Sequence, residues 1–107
     1  MTDRLKEKVA LITGASTGIG AGISELFAKE GCSIILADKN IDEAKHLCDE
    51  ISKFNPNCLA LNLDVTLEQN WIEVIQKSII RFGKINILVN NAGIYSRKPV
   101  EQTELNE

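Results

Sequence analysis

The stretch Thr13-Gly14-Ala15-Ser16-Thr17-Gly18-Ile19-Gly20 decides the fold of this chain. The apolar run 9–12 before it predicts a buried strand, and the amphipathic run 21–30 after it predicts a helix. Glycine has no Cβ, so such a turn can adopt positive φ and let a ligand approach the backbone. The helix start presents unpaired N–H groups and the positive end of its dipole, which together bind phosphate. The sequence therefore predicts a phosphate-binding turn between a strand and a helix.

The spacing of the glycines distinguishes this turn from other phosphate-binding loops. Gly14, Gly18 and Gly20 form G-x-x-x-G-x-G rather than the common G-x-G-x-x-G. No Gly-Lys-Ser/Thr follows, so the turn is not a P-loop. A glycine cluster alone is also compatible with an ordinary tight turn, and its interpretation depends on the rest of the chain.

Length and composition limit the class of protein. A chain of 107 residues forms one domain at most, and 44% hydrophobic and 25% charged residues are ordinary for a globular protein. The net charge of -3, without a basic tract, argues against a nucleic-acid partner. No apolar run approaches the length of a membrane span, and residues 1–7 are too charged for a signal peptide. We expect a cytoplasmic protein that binds neither nucleic acid nor membrane.

The cysteines and the histidine do not indicate a metal or redox site. Cys32, Cys48 and Cys58 are odd in number and lack C-x-x-C spacing, so we expect buried, reduced thiols. His46 lies off the apolar stripe of its helix and is expected on the surface.

Strands and helices are predicted to alternate along the whole chain. The predicted strands are 9–12, 33–38, 58–63 and 85–90, and the capping boxes Asn40/Glu43 and Thr66/Gln69 and the stops Gly31 and Gly83 delimit the helices. The predicted buried faces of the three helices are Ile19, Ile23, Leu26 and Phe27; Ala44, Leu47, Cys48 and Ile51; and Trp71, Val74, Ile75, Ile79 and Phe82. The alternation implies an α/β fold, a three-layer doubly wound parallel sheet with strand order 3-2-1-4. A ligand is then expected at the carboxyl ends of the strands.

Four stretches at those strand ends together resemble the short-chain dehydrogenase/reductase family. They are the glycine turn 13–20, Asp38, Leu63-Asp64-Val65 and Asn90-Asn91-Ala92-Gly93, in the family's order and at its spacing. The resemblance extends from about Lys8 through Gly93 and implies the NAD(P)-binding Rossmann fold.

The resemblance also implies which residues hold the cofactor. The glycine turn would hold the pyrophosphate, Asp38 the adenosine ribose and Asp64 the adenine, while 91–93 would line the ribose–nicotinamide side. The cofactor-binding residues implied in this way are Gly14, Ser16, Thr17, Gly18, Ile19, Gly20, Asp38, Asp64, Val65, Asn91, Ala92 and Gly93. Asn90 is left out because the family uses this turn to brace the sheet.

Asp38 further predicts which nicotinamide cofactor is used. A carboxylate about 4 Å from a 2′-phosphate is repelled by about 4 kcal/mol at an effective dielectric near 20. We therefore expect NAD rather than NADP. Lys39 would offset the repulsion, but alternate residues of a strand point to opposite sides, so we expect it to point elsewhere.

No catalytic residue is assigned in this chain. The resemblance implies a tyrosine with a lysine four residues later and a serine, whereas Pro99 stands four residues after Tyr95, the only tyrosine. We interpret 1–107 as a single partial domain, the amino-terminal half of an oxidoreductase that acts on a small alcohol or carbonyl compound. We expect it to be catalytically incompetent alone and to self-associate through the open edge of its fourth strand. A non-catalytic nucleotide-binding or interaction module is the alternative. A flavin-binding module is less favoured because it gives Asp38 and 90–93 no role.

Overall fold

The computed structural model describes residues 5–16 and 18–91, which form a four-stranded sheet with helices on both faces. The elements are β1 Val9–Thr13, α1 Gly18–Lys29, β2 Ser33–Asp38, α2 Ile41–Ser52, β3 Cys58–Asn62, α3 Glu68–Phe82 and β4 Ile87–Asn90. All strand pairs are parallel and the order is β3-β2-β1-β4. The predicted alternation and the predicted order 3-2-1-4 are confirmed.

The register of the sheet brings three strand ends together. Thr13, the last residue of β1, pairs with Ala37 of β2 on one side and with Asn90 of β4 on the other. The chain therefore leaves the sheet after Thr13, Asp38 and Asn90 at the same end, the carboxyl end of the parallel strands. The carboxyl end of the sheet therefore carries the glycine turn and the ends of both flanking strands.

The sheet is buried on both faces by different helices. Ile12 and Ile34 pack on one side with α1 and α2, whereas Leu11 and Ile35 pack on the other side with Val74 of α3. Successive residues of a strand point to opposite faces, which is why β1 and β2 are apolar at consecutive positions. Each such side chain contributes about 1.5–3 kcal/mol through burial. No helix among residues 5–16 and 18–91 is long and apolar enough to cross a membrane.

Helix α1 packs on the sheet through a stripe of small residues and through half of the predicted apolar face, Ile23 and Phe27. Its buried residues are Gly20, Ser24 and Ala28, while Ile19 and Leu26 are 59% and 57% exposed. The helix lies close to the turn at Gly20, so the stripe of small residues faces inward, and the predicted burial of Ile19 and Leu26 is wrong. The hydroxyl of Ser24 donates to the Gly20 carbonyl at 2.8 Å, which satisfies the polar group that is buried there.

Helix α2 begins with half of the predicted capping box. The Asn40 side chain accepts from the N–H of Glu43 at 3.1 Å, as predicted. The main-chain N–H of Asn40, which the Glu43 side chain would bind in a full box, instead donates to Asp38 Oδ1 at 2.8 Å. The carboxylate of Asp38 thus replaces the reciprocal bond of the capping box.

The capping box predicted at the start of α3 is wrong. The residue before the helix is Leu67, which has no side-chain cap, and the hydroxyl of Thr66 donates to Asp64 at 2.6 Å instead. The helix begins at Glu68, so Thr66 lies one residue before the N-cap position, and its hydroxyl is oriented by the charged acceptor of Asp64. The predicted stop is confirmed, since Gly83 adopts a left-handed φ of 86° and donates to the Ile79 carbonyl at 2.7 Å.

One flank of α3 is more exposed than predicted. Val74 and Ser78 are buried, but Ile75 and Ile79, predicted to be buried, are 39% and 46% exposed. Helix α3 is the only described helix on its face of the sheet, and Leu88 of β4 is exposed on the same face. In the part of the chain that the structure describes, nothing covers the region between α3 and β4.

Asn55 joins α1 to the beginnings of β2 and β3. Its buried amide donates to the carbonyls of Ala28 and Cys32 at 3.0 and 2.9 Å, and its carbonyl accepts from the N–H of Asn57 at 3.0 Å. The three cysteines are free thiols, and burial raises the pKa of Cys32 to about 11. That thiol is protonated at neutral pH and behaves as an apolar side chain, as predicted.

Candidate functional site

The glycine turn begins and ends with left-handed backbone. Gly14 has φ 60° and Gly18 has φ 54°, conformations that favour glycine. Gly18 and Ile19, in the first turn of α1, are exposed. Among the described residues, no side chain accepts a hydrogen bond from the N–H groups of 18–20. These donors, at the positive end of the helix dipole, are suited to a phosphate.

Gly20 is required for a different reason, which is close packing. A Cβ placed there would overlap the Gly14 carbonyl oxygen and lie 2.8 Å from Asn91 Nδ2. The Asn91 amide occupies this space because it donates to the same Gly14 carbonyl at 3.0 Å. The third glycine therefore allows the helix, the turn and the end of β4 to meet at one point.

Asn91 also carries an unpaired acceptor. The residue is 1% exposed, and its Oδ1 atom has no partner among the residues that the structure describes. A buried polar atom without a partner costs about 1–3 kcal/mol, so such groups are usually satisfied. A donor on a bound ligand would remove this cost. The neighbouring Asn90 accepts from the Thr13 hydroxyl at 3.0 Å across β1 and β4, which agrees with a bracing role.

Asp38, at the carboxyl end of β2, is bonded directly to the glycine turn. Its Oδ2 atom accepts from the N–H of Ser16 at 3.0 Å and from the Ser16 hydroxyl at 2.7 Å. Its Oδ1 atom accepts from the N–H of Asn40 at 2.8 Å. The carboxylate is thus fixed beside the turn that would bind a phosphate. A phosphate site and a hydroxyl acceptor next to each other suit a nucleotide.

Asp64 extends the site to the end of the next strand. Its Oδ1 atom accepts from the hydroxyl and the N–H of Thr66 at 2.6 and 3.0 Å. These bonds, with a smaller contribution from the positive charge of Lys39, lower the pKa of Asp64, so it is ionised at neutral pH. The N–H of Leu63 donates to the Asp38 carbonyl at 3.0 Å, which places the two acidic strand ends side by side.

Val65, beside Asp64, is held through its main chain. Its carbonyl accepts from the indole N–H of Trp71 at 3.0 Å, and the side chain is half-buried. Val65 thus lies with Asp64 at the end of β3, where a flat apolar group of a ligand could pack.

The structure brings most of the predicted residues to the carboxyl end of the sheet. Gly14, Ser16, Gly20, Asp38 and Asn91 are joined by direct contacts. The remaining predicted residues that the structure describes lie at the start of α1 or after β3, namely Gly18, Ile19, Asp64 and Val65, whereas Thr17, Ala92 and Gly93 lie outside the described residues.

Two local contacts of this site were not anticipated from the sequence. The N–H of Asn40 and the side chain of Thr66 each bind the carboxylate two residues earlier. Both follow the short Asp-x-Asn or Asp-x-Thr pattern in which an acidic side chain accepts from the second following residue. That pattern was available in the sequence as a signal.

An apolar cleft elsewhere on the molecule does not belong to this site. It has a volume of about 350 Å³ and is lined by Leu5, Leu26, Phe27 and Glu30. It lies at the carboxyl end of α1, whereas the glycine turn is at the amino end.

Comparison with known proteins agrees with this geometry. The family model described as short chain dehydrogenase matches residues 8–107. The chain is 38% identical to trans-4-hydroxycyclohexanecarboxylate dehydrogenase of Sinomonas cyclohexanicum, over 100% of this chain and 44% of that protein. It is 42% identical to 7alpha-hydroxysteroid dehydrogenase of Escherichia coli K12, over 92% of this chain and 38% of that protein.

Solved structures show the same fold. A hydroxysteroid dehydrogenase from Escherichia coli superposes with a TM-score of 0.79 at 40% identity, over 83% of this chain and 37% of that one. A 3-ketoacyl-(acyl-carrier-protein) reductase from Brucella melitensis, complexed with NADH, gives 0.74 at 34% identity, over 78% of this chain and 33% of that one. The chain spans about two fifths of the length of the curated relatives named above.

Proposed function

Because this chain belongs to the short chain dehydrogenase family, we propose that it binds NAD as the cofactor-holding part of an oxidoreductase. When bound, the nicotinamide supplies hydride exchange with a secondary alcohol or a carbonyl compound. The observation that carries the proposal is the pair of bonds from Ser16 to Asp38. They join a phosphate-binding turn to a hydroxyl acceptor, the two groups that an adenosine diphosphate requires together.

Each group at the strand ends has a proposed role toward this cofactor. The N–H groups at the start of α1 would bind the pyrophosphate, and Asp38 would accept from the ribose hydroxyls. Asp64, which is ionised, would accept from the adenine amino group with Val65 against the ring. Asn91 would line the nicotinamide side, where its Oδ1, which has no partner among the described residues, can accept a hydrogen bond. Thr17, Ala92 and Gly93 are proposed as further contacts from the family resemblance alone.

The charge of Asp38 favours NAD over NADP. Three N–H or O–H donors hold this carboxylate in place, so it cannot easily turn away from a 2′-phosphate. The repulsion of about 4 kcal/mol expected at 4 Å is reduced by salt at a half-exposed site. A preference for NAD of at least about tenfold, or 1.4 kcal/mol, is therefore expected.

Titration calorimetry with NAD and NADP tests this proposal. The native chain should bind NAD more tightly, and Asp38→Asn should lose most of the discrimination because the repelling charge is gone. Asp49→Asn is a matched control: it removes one negative charge from an exposed position on α2 and should leave the ratio unchanged. Tighter binding of NADP by the native chain would overturn the assignment, and binding of neither cofactor would overturn the proposed function.

We further propose that the 107 residues alone do not turn over substrate. Tyr95 is their only tyrosine, and no Tyr-x-x-x-Lys is present to supply the acid/base pair. The named relatives are dehydrogenases of a hydroxycyclohexanecarboxylate and a hydroxysteroid, so the proposed substrate class is a secondary alcohol on a ring. Incubation with NAD and cyclic secondary alcohols should produce no NADH absorbance. Steady NADH formation by this chain would show that its own residues are catalytic.

A further inference from the structure

The carboxylate of Asp38 has almost no free acceptor capacity. A carboxylate offers about four lone-pair sites. Oδ2 already accepts two hydrogen bonds from Ser16, and Oδ1 accepts one from Asn40. About one site is left, whereas the two adjacent hydroxyls of a ribose bring two donors.

The three protein donors on Asp38 are not equally exchangeable. Two are main-chain N–H groups, of Ser16 and Asn40, and they can leave only if the backbone moves. The third is the Ser16 hydroxyl, which leaves by rotation about one side-chain bond. Ser16 is only partly buried, so its side chain has room to rotate.

We propose that Ser16 is a positioning residue whose hydroxyl occupies the place of a ribose hydroxyl on Asp38 and leaves when the ribose binds. The inference rests on the proposed function, because it requires an adenosine ribose as the ligand. In the free protein the Ser16 hydroxyl keeps the carboxylate satisfied and in place. On binding, one ribose hydroxyl takes the free site and the other replaces the Ser16 hydroxyl.

This exchange has a measurable consequence. In the native chain the second ribose hydroxyl gains a hydrogen bond to Asp38 only by breaking the 2.7 Å bond from the Ser16 hydroxyl to the same carboxylate. In Ser16→Ala the same hydroxyl displaces only water. The loss of affinity on removing that ribose hydroxyl should therefore be greater in Ser16→Ala than in the native chain.

The test compares ADP with 2′-deoxy-ADP and 3′-deoxy-ADP by titration calorimetry on the full 107-residue chain. For at least one deoxy analogue, the affinity ratio of ADP to analogue should be about tenfold larger in Ser16→Ala than in the native chain. Ser16→Thr keeps the hydroxyl and should restore the native ratio. Ser33→Ala makes the same chemical change at the opposite end of β2 and should leave the ratio unaltered.

The outcomes separate this inference from the proposed function. If ADP binds and the ratio in Ser16→Ala is equal to or below the native ratio, Ser16 adds to binding rather than yielding, and the inference fails alone. If the native chain does not bind ADP, the proposed function fails as well. Scalar couplings of the Ser16 β-protons in the native chain need no variant. They should report a new rotamer on ADP addition, and an unchanged rotamer would also overturn the inference.

Discussion

Substitution of Gly20 by alanine tests the packing that joins the turn, α1 and β4. An added Cβ would overlap the Gly14 carbonyl oxygen and lie 2.9 Å from the Gly14 carbonyl carbon and 2.8 Å from Asn91 Nδ2. Two of these atoms are main chain, so no flexible side chain can move away alone. The turn must shift from the helix, and the 3.0 Å bond between Asn91 and Gly14 is then strained or lost.

The expected cost follows from three effects. Overfilling a packed site costs about 1–3 kcal/mol, and loss of one hydrogen bond costs about 1 kcal/mol. Replacing glycine by alanine inside a helix returns about 1 kcal/mol. Gly20→Ala should therefore lower the free energy of unfolding by about 2 kcal/mol.

Gly22→Ala is the matched control in the same helix. Nothing lies within 4 Å of a Cβ added at Gly22, so only the gain in helix propensity, up to about 1 kcal/mol, applies. Urea denaturation followed by the fluorescence of Trp71, the only tryptophan, measures both variants. Equal stability of the two variants would refute the close packing at Gly20, because an added Cβ would then cost no more at Gly20 than at Gly22.

Two further predictions concern single side chains. Asn55→Ala removes three hydrogen bonds, two to the carbonyls of Ala28 and Cys32 and one from the N–H of Asn57, and should cost about 3 kcal/mol in urea denaturation. The exposed Asn57→Ala should stay within about 0.5 kcal/mol of native, and equal effects would contradict this prediction. Thr66→Val removes the hydroxyl on Asp64, so carboxyl NMR titration should show the pKa of Asp64 rising toward its ordinary value, and an unchanged pKa would contradict the assignment. Because the pKa of Asp64 is lowered in the folded chain, the ionised carboxylate stabilises the fold above about pH 4, and this contribution is lost as the pH falls through the folded pKa. Thr66→Val should therefore make the stability of the chain depend less on pH in the acid range.

The architecture was predictable because its signals are local. Apolar runs with turn residues between them define the strands, and the alternation with helices permits few sheet topologies. The left-handed stop at Gly83 follows from one residue type at the end of an apolar stripe. These features depend on nearest neighbours in the chain, which the sequence displays directly.

The inner face of α1 was not predictable in the same way. Hydrophobicity alone places Ile19 and Leu26 inward, but the helix approaches the turn so closely that Gly20, Ser24 and Ala28 face the sheet. This spacing is a tertiary property, set by a contact between α1, the turn and β4. For the same reason, Ile75 and Ile79 of α3 cannot be assigned as buried without knowing what covers them.

The candidate site likewise contains residues that the local sequence predicts and contacts that only the tertiary structure reveals. Asp38 and Asp64 were predicted because acidic residues at the ends of two parallel strands are visible in the sequence. The donors that hold them were missed for two reasons. Asn40 and Thr66 belong to short local patterns that also resemble helix caps, whereas Ser16 is 22 residues from Asp38 and reaches it only through the sheet.

The strand order explains how the glycine turn is held from two sides while Gly18 and Ile19 stay exposed. Because β1 lies between β2 and β4, residues leaving both neighbours can reach the turn that leaves β1. Asp38 of β2 holds Ser16, and Asn91, directly after β4, holds Gly14 across 77 positions of sequence. A turn that follows the outermost strand of a sheet would have a neighbouring strand on one side only. The central position of β1 therefore fixes the turn from two sides and leaves the N–H groups of α1 free for a ligand.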